Sequence, residues 1–287
     1  MRIQGFYINL LASSDRRAQM QTQLAELGLG ERVRRFPAVD GRAQGPFDDV
    51  GRNTVWACRR SHENVVLQSD AESATIVFED DVEISRDFAT VIHEHSMDAF
   101  VRSSPNCDVL FLDCCPFYNK APFLLSLCEQ QMPKRAVPAV EGAERHALTT
   151  VSLVDARSTY AYCAAAYIVT PRGKKTLGRL FAETHDDRAI DRLYHDWIAD
   201  GALNAQIAVP FLASPPYTTR STIAYEHLER PTLEEREGKL AAAIRRLLFA
   251  GDAKLCTGDI DALLRPADVS DEHRLGMQLY ETCRSFA

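Results

Sequence analysis

Nowhere in the 287-residue chain is there a run of about 18 or more apolar residues, so no membrane-crossing helix is expected. The first ten residues, Met1 to Leu10, lack the length and small-residue cleavage site of a secretory signal. A basic excess is also missing. The 33 Lys and Arg are outnumbered by 40 Asp and Glu, for a net charge of −7. That balance argues against a general nucleic-acid surface, which relies on clustered cations, but leaves room for a local basic pocket. The eight cysteines contain no C-x-x-C pair and no metal-like spacing; Cys114 and Cys115 are direct neighbours, and Cys58, Cys107 and Cys163 stand in apolar contexts. Reduced, buried thiols in a cytoplasmic protein are expected, rather than the disulfide framework of a small secreted domain. Repeats and low-complexity tracts are absent. What remains is an ordinary globular composition, 46% hydrophobic and 25% charged, in a chain long enough to bury a substantial core.

Strand and helix patterns alternate along the first half. Strands are expected at Ile3–Leu10, Val33–Val39, Thr75–Phe78 and Val109–Leu112. Helices are expected at Asp15–Leu27, with Ser13 or Ser14 to cap it and Gly28 to end it, and at Val55–Gln68 and Asp87–Val101. This β-α-β rhythm predicts a layered α/β domain. Cys114–Thr159, punctuated by Pro116, Pro122, Pro133 and Pro138, breaks the rhythm and reads as a long irregular functional loop. The rhythm resumes with a strand at Tyr160–Val169, helices at Gly173–Glu183 and Asp187–Ala199, and a strand at Ala205–Phe211. Thr232–Ala250 is an amphipathic helix whose Arg245-Arg246 pair offers a peripheral contact with an anionic membrane, although packing of its apolar face on the core is the stronger expectation. Helical patterns at Ile260–Leu264 and Glu272–Cys283 complete a helical extension over 226–287, behind a main domain over 1–225.

The most informative stretch is Ile76-Val77-Phe78-Glu79-Asp80-Asp81-Val82, an apolar strand that ends in three adjacent carboxylates. Such acids repel one another unless water, donors or a cation offset the charge. Hard oxygen ligands of this kind suit Mg²⁺ or Mn²⁺. The plain alternative is a solvated loop mouth. Asn9, Asp15 and Arg16 follow the first strand, at the carboxyl edge where open α/β sheets bind ligands. Asn9 has both donor and acceptor for a base edge, and Arg16 suits a phosphate. A capped helix with a solvated Asp-Arg-Arg face is the structural alternative, and for Arg17 the preferred one. Asp40-Gly41 marks a tight turn, with Gly41 free to take positive φ and Asp40 either steadying the turn or meeting a ligand. His62 lies one helical turn beyond Cys58, but no second pair nearby supports zinc, so a core histidine is the default for the residue alone. His93 and His95 read as solvated.

Several blocks, taken in order, resemble glycosyltransferase family 25, which includes lipopolysaccharide sugar transferases and collagen hydroxylysine galactosyltransferases. They are Phe6–Leu10 with Ser14–Arg17, Phe36–Arg42, Ala57-Cys58-Arg59-Arg60-Ser61-His62, Phe78–Val82, Asp108–Leu112, and Ala161-Tyr162 to Thr170 with Arg172-Gly173. The resemblance spans roughly residues 3–225. It implies a GT-A-type nucleotide-sugar fold and a metal-dependent inverting transfer of a hexose, galactose by family habit, from a UDP-sugar to a hydroxyl acceptor on a glycan, lipid-linked glycan or protein. It further implies Mn²⁺ or Mg²⁺ on Asp81, with Glu79, Asp80, Ser61 and His62 on the donor side. The base for the acceptor proton is assigned to Asp191, in the late helix, with Asp113 second. Departures lie at Thr54-Val55-Trp56, ahead of Ala57-Cys58, at Asp113 where a glycine is usual, and at Ser221-Thr222-Ile223, where the family carries Ser-Asp-Ile. Two rival readings use the same residues: a metal-dependent sugar-nucleotide hydrolase and a non-catalytic sugar-nucleotide binding module.

Overall fold

The computed structural model describes residues 1–132, 148–216 and 241–251. Strand β1 (Ile3–Asn9) runs into helix α1 (Ser14–Glu26), and β2 (Val33–Pro37) returns parallel to β1. Gly28, at φ 66°, turns the chain at the end of α1, the left-handed geometry that glycine adopts at least cost. Helix α2 (Val50–Gln68) leads to β3 (Ala74–Glu79), on the other side of β1 and parallel to it. The short β4 (Glu83–Ile84), α3 (Phe88–Val91) and α4 (Glu94–Ser103) precede β5 (Val109–Phe111). Then come β6 (Cys115–Pro116), α5 (Ala121–Gln131), β7 (Ser152–Asp155), β8 (Tyr160–Tyr162), β9 (Ala166–Val169), α6 (Pro171–Glu183), α7 (Ile190–Ala199), β10 (Ala205–Val209) and β11 (Ala213–Ser214).

The main sheet has the order β2-β1-β3-β9-β5-β10-β7. Strand β9 is antiparallel to both β3 and β5, while β10 is parallel to β5. The carboxyl ends of β1, β2, β3, β5 and β10 therefore share one edge. Strict alternation sends neighbouring side chains to opposite faces. Val77, Tyr167 and Val169 join a core with Val65, Leu177, Leu193 and Trp197 from α2, α6 and α7. Ile76, Phe78, Ala166 and Ile168 join a second core with Met20, Leu24, Phe88 and Met97 from α1, α3 and α4. The result is a three-layer α/β arrangement, as the alternating pattern predicts.

Four expectations change in detail. The helix expected at Asp87–Val101 is broken: α3 stops, and His93 caps α4 by accepting from Ser96 N at 3.3 Å while Ser96 Oγ accepts from His93 N. His93 is thus a cap, not a solvated side chain. The strand expected at Tyr160–Val169 is two strands, because Cys163 takes φ 82° and turns the chain out of the β6–β8 pair into the main sheet. The irregular segment Cys114–Thr159 contains α5, with Pro122 in its first turn, where its missing N–H breaks no helical bond. That proline marks a helix start, not a loop; residues 133–147 lie outside the described residues. Finally, α2 begins at Val50 because Asp49 accepts from Arg52 N at 2.6 Å.

Beyond residue 225, only 241–251 belong to the described residues, with helix across 241–248. This segment packs into the body: Ile244 and Leu248 enter the first core and Phe249 bridges to Phe211. The expected boundary at 225/226, Ser221-Thr222-Ile223 and the helices at Ile260–Leu264 and Glu272–Cys283 lie outside the described residues. The Arg245-Arg246 pair does not form a basic membrane face. Arg246 donates to Glu83 at 2.6 Å and lies over the Phe249 ring, and Arg245 forks onto Asp113.

Asp113 is fully buried, and its Arg245 partner is 12% exposed. Removing one charge of a buried pair strands the other in a low-dielectric interior. Asp113→Asn is therefore expected to lower stability by roughly 3 kcal/mol or more. Urea denaturation measures this, and an unchanged midpoint would show that the pair is not holding the segment to the body.

Candidate functional site

The carboxylates of Glu79, Asp80 and Asp81 emerge where β3 reaches the common carboxyl edge. The register pairs Ile8 with Glu79, so Asn9 at the end of β1 stands beside Asp80. The buried Asn9 amide donates to Asp80 Oδ2 at 2.6 Å and to the Ser13 carbonyl at 3.0 Å, while its Oδ1 accepts from Arg35 Nε at 2.8 Å. Both amide hydrogens are engaged, which leaves no spare donor for a nucleobase edge. Asn9 instead ties three chain segments together beneath the acids. Arg16, on the first turn of α1, reaches Asp80 at 3.1 Å and Asp81 at 3.2 Å.

The three acids thereby separate into different roles. Asp80 is pinned by Asn9 and Arg16. Glu79 faces His62, whose Nε2 lies 3.3 Å from Glu79 Oε1 and whose Nδ1 lies 2.9 Å from the Tyr167 hydroxyl. Burial works against a charged Glu79, but the hydrogen bond and charge of His62 outweigh it, with Arg245 and Arg16 assisting, and hold the carboxyl below its ordinary range. Asp81 is the exception. Its Oδ1 is buried and has no hydrogen-bond partner among the described residues. Burial first, then the Glu79 charge, pushes its carboxyl up to about 7, against the pull of Arg16. A buried carboxylate oxygen without a donor, close to two other acids, is an unfavourable arrangement unless a cation completes it.

Asp191 lies in the first turn of α7, within electrostatic reach of Glu79. Its Oδ1 accepts from Arg192 N at 2.8 Å. The arginines that would neutralise it are engaged elsewhere: Arg188 pairs with Asp186 and Asp196, and Arg192 with Asp196. Burial raises the Asp191 carboxyl above its ordinary range, backbone N–H groups of Arg192 and Cys163 oppose the rise, and the Glu79 charge adds to it. A carboxylate with raised proton affinity and, among the described residues, no arginine partner suits proton abstraction. Asp113 is differently placed, its two oxygens held by Arg245.

Of the other expected donor residues, Ser61 and Asp40 make local hydrogen bonds. Ser61 is buried, donates to the Ala57 carbonyl at 2.7 Å and accepts from Val39 N at 2.9 Å, fastening the segment after β2 to α2. Asp40 accepts from Arg42 N at 2.9 Å and steadies its turn. Gly41 is not a positive-φ glycine; a Cβ there would lie 2.4 Å from the Asn53 carbonyl, so the requirement is close approach to α2. Asp15 is exposed on the first turn of α1. Two participants escaped sequence reasoning: Arg35 and Tyr167. Arg35 carried no motif, and Tyr167 is one strand residue among many. The sequence places Cys58 and His62 on one helix face, but their neighbour Glu79 comes from a strand 17 residues past His62, which spacing alone does not connect.

Compared with models of known protein families and with curated proteins, the chain matches none.

Proposed function

We propose that the protein is a divalent-cation-dependent glycosyltransferase of GT-A type, moving a hexose from a UDP-sugar to a hydroxyl acceptor with inversion. The observation that carries this reading is the orphaned, buried Asp81 Oδ1 within an acid cluster at the sheet's carboxyl edge. The residues fit Mn²⁺ or Mg²⁺: the donors are hard carboxylate oxygens, and they leave open positions for phosphate oxygens. Asp81 would hold the ion, with Glu79 or Asp80 reaching its water ligands. Such an ion supplies Lewis-acid neutralisation of the departing diphosphate. Arg16, already drawn to the cluster, is positioned to transfer part of its pairing to a diphosphate that enters beside it. Asp191 takes the proton from the acceptor hydroxyl as that oxygen attacks the anomeric carbon from the side opposite the leaving group. Galactose as the sugar, and a glycan, lipid-linked glycan or protein as the acceptor, follow from the family resemblance alone.

The direct test is a screen of nucleotide sugars for Mn²⁺-dependent release of nucleoside diphosphate, with and without hydroxyl acceptors. Release that rises with an acceptor supports transfer. Release indifferent to any acceptor favours the hydrolase reading, and donor binding without release favours a binding module. Within this scheme Arg16→Ala is expected to raise the donor KM severalfold while changing kcat less, since it removes ground-state binding. It should not weaken Mn²⁺ binding, because it removes a like charge. Steady-state kinetics decide; an unchanged donor titration returns Arg16 to a purely structural pairing with the acids.

A further inference from the structure

Sharing Glu79 with the acidic cluster is a second set of donors of a different chemical kind. Cys58 Sγ, a nitrogen of His62 and a carboxylate oxygen of Glu79 all lie within 4.8 Å of one another. We propose that Cys58, His62 and Glu79 form a transition-metal site of the zinc class, separate from the hard-ion position on Asp81 and with one coordination position open. Four observations support it. Cys58 and His62 are one helical turn apart on α2, so a single rigid helix presents both. The 3.3 Å between His62 Nε2 and Glu79 Oε1 matches the edge of a tetrahedron around zinc, about 3.4 Å for nitrogen and oxygen ligands near 2.0–2.1 Å. His62 Nδ1 is held by the Tyr167 hydroxyl at 2.9 Å, the outer partner that fixes the ring of a metal-bound histidine. Tyr167 and His62 are both buried, so this orientation is imposed by the core rather than by a loop.

The donor set selects the ion. Thiolate, imidazole and carboxylate together suit zinc or cobalt and suit Mg²⁺ poorly, whereas the oxygens around Asp81 suit Mg²⁺ or Mn²⁺. Binding replaces the thiol proton of Cys58, which leaves to solvent as the sulfur bonds the metal; no oxidant or reductant is involved. Three protein ligands leave a fourth position for water or an anionic oxygen, the pattern of reactive rather than structural zinc sites.

Cobalt titration of the full chain, with Mg²⁺ in excess, tests this without reference to turnover. The expected result is one Co²⁺ bound per chain with a thiolate-to-cobalt charge-transfer band. Cys58→Ser should abolish that band, and His62→Gln should weaken cobalt binding about tenfold or more, in the range seen when the support of a metal site is lost. Asp81→Asn should leave the band in place, even if it removes the hard-ion site. Should the buried His62 variant fail to fold, X-ray absorption on the wild-type cobalt or zinc form decides by itself: one sulfur near 2.3 Å with nitrogen or oxygen near 2.0–2.1 Å is required. A metal shell without sulfur, or a charge-transfer band that survives Cys58→Ser, overturns the assignment.

Discussion

Asp81→Asn is expected to abolish cation-dependent turnover and, with no cation present, to raise the melting temperature at pH 8. The second half follows from the electrostatics. The Asp81 carboxyl sits at about 7 in the folded protein, well above its value in an unfolded chain, about 3.9. Between those limits the folded state keeps a proton that the unfolded state has lost, so the metal-free protein loses stability as pH rises through that window. The penalty is fully present above about pH 7. Asparagine carries no such charge, so the variant should melt a few degrees higher at pH 8, with the gain shrinking as pH falls towards 4. Added Mn²⁺ should stabilise the wild type and leave the variant unmoved. Calorimetric melts across pH, with and without Mn²⁺, read all of this. A variant that melts lower at pH 8, or turns over at wild-type rates in limiting Mn²⁺, contradicts the metal assignment.

Asp191→Asn is expected to cut transfer by about 100-fold or more, the usual effect of removing a positioned base, while donor and Mn²⁺ binding remain near normal. The amide keeps the size of the side chain and can still accept from Arg192 N, so α7 should start as before. What it loses is the capacity to take a proton. With cation saturating, the acidic limb of the wild-type pH–rate profile should lie above the ordinary carboxylate range, as the raised proton affinity of Asp191 requires, and vanish in the variant. Asp113→Asn is the control. If that variant, folded at low temperature, loses transfer while Asp191→Asn keeps it, the base lies at the end of β5.

Much of the architecture was legible because period-two and helical patterns act locally: β1, α1, β2, α2 and β3 lie close to where the alternation predicts them. The breaks were not legible. A positive φ at Cys163 is set by the turn it must make between two sheets, and His93 as a cap depends on where α3 stops. Pro122 reads as a breaker when alone and as a helix start only once its position in the first turn is known. At the site, the strand-end acids announced themselves through composition. Their division into a pinned Asp80, a histidine-facing Glu79 and an Asp81 with one oxygen left without a donor depends on Asn9, Arg16 and His62, which arrive from three other elements. The same holds for Asp113, whose partner Arg245 is 132 residues away along the chain. Tertiary pairing, not local sequence, decided which acids are free to act.

A hard divalent ion and a nucleoside diphosphate are expected to bind together at Asp81. Titration calorimetry of UDP into the wild-type protein, once with Mn²⁺ and once with chelator, measures this. The expected result is clear binding with Mn²⁺, loss of about tenfold or more of affinity in chelator, and the same loss in Asp81→Asn with Mn²⁺ present. Equal UDP affinity in Mn²⁺ and chelator, or undiminished Mn²⁺-dependent binding in Asp81→Asn, would contradict it.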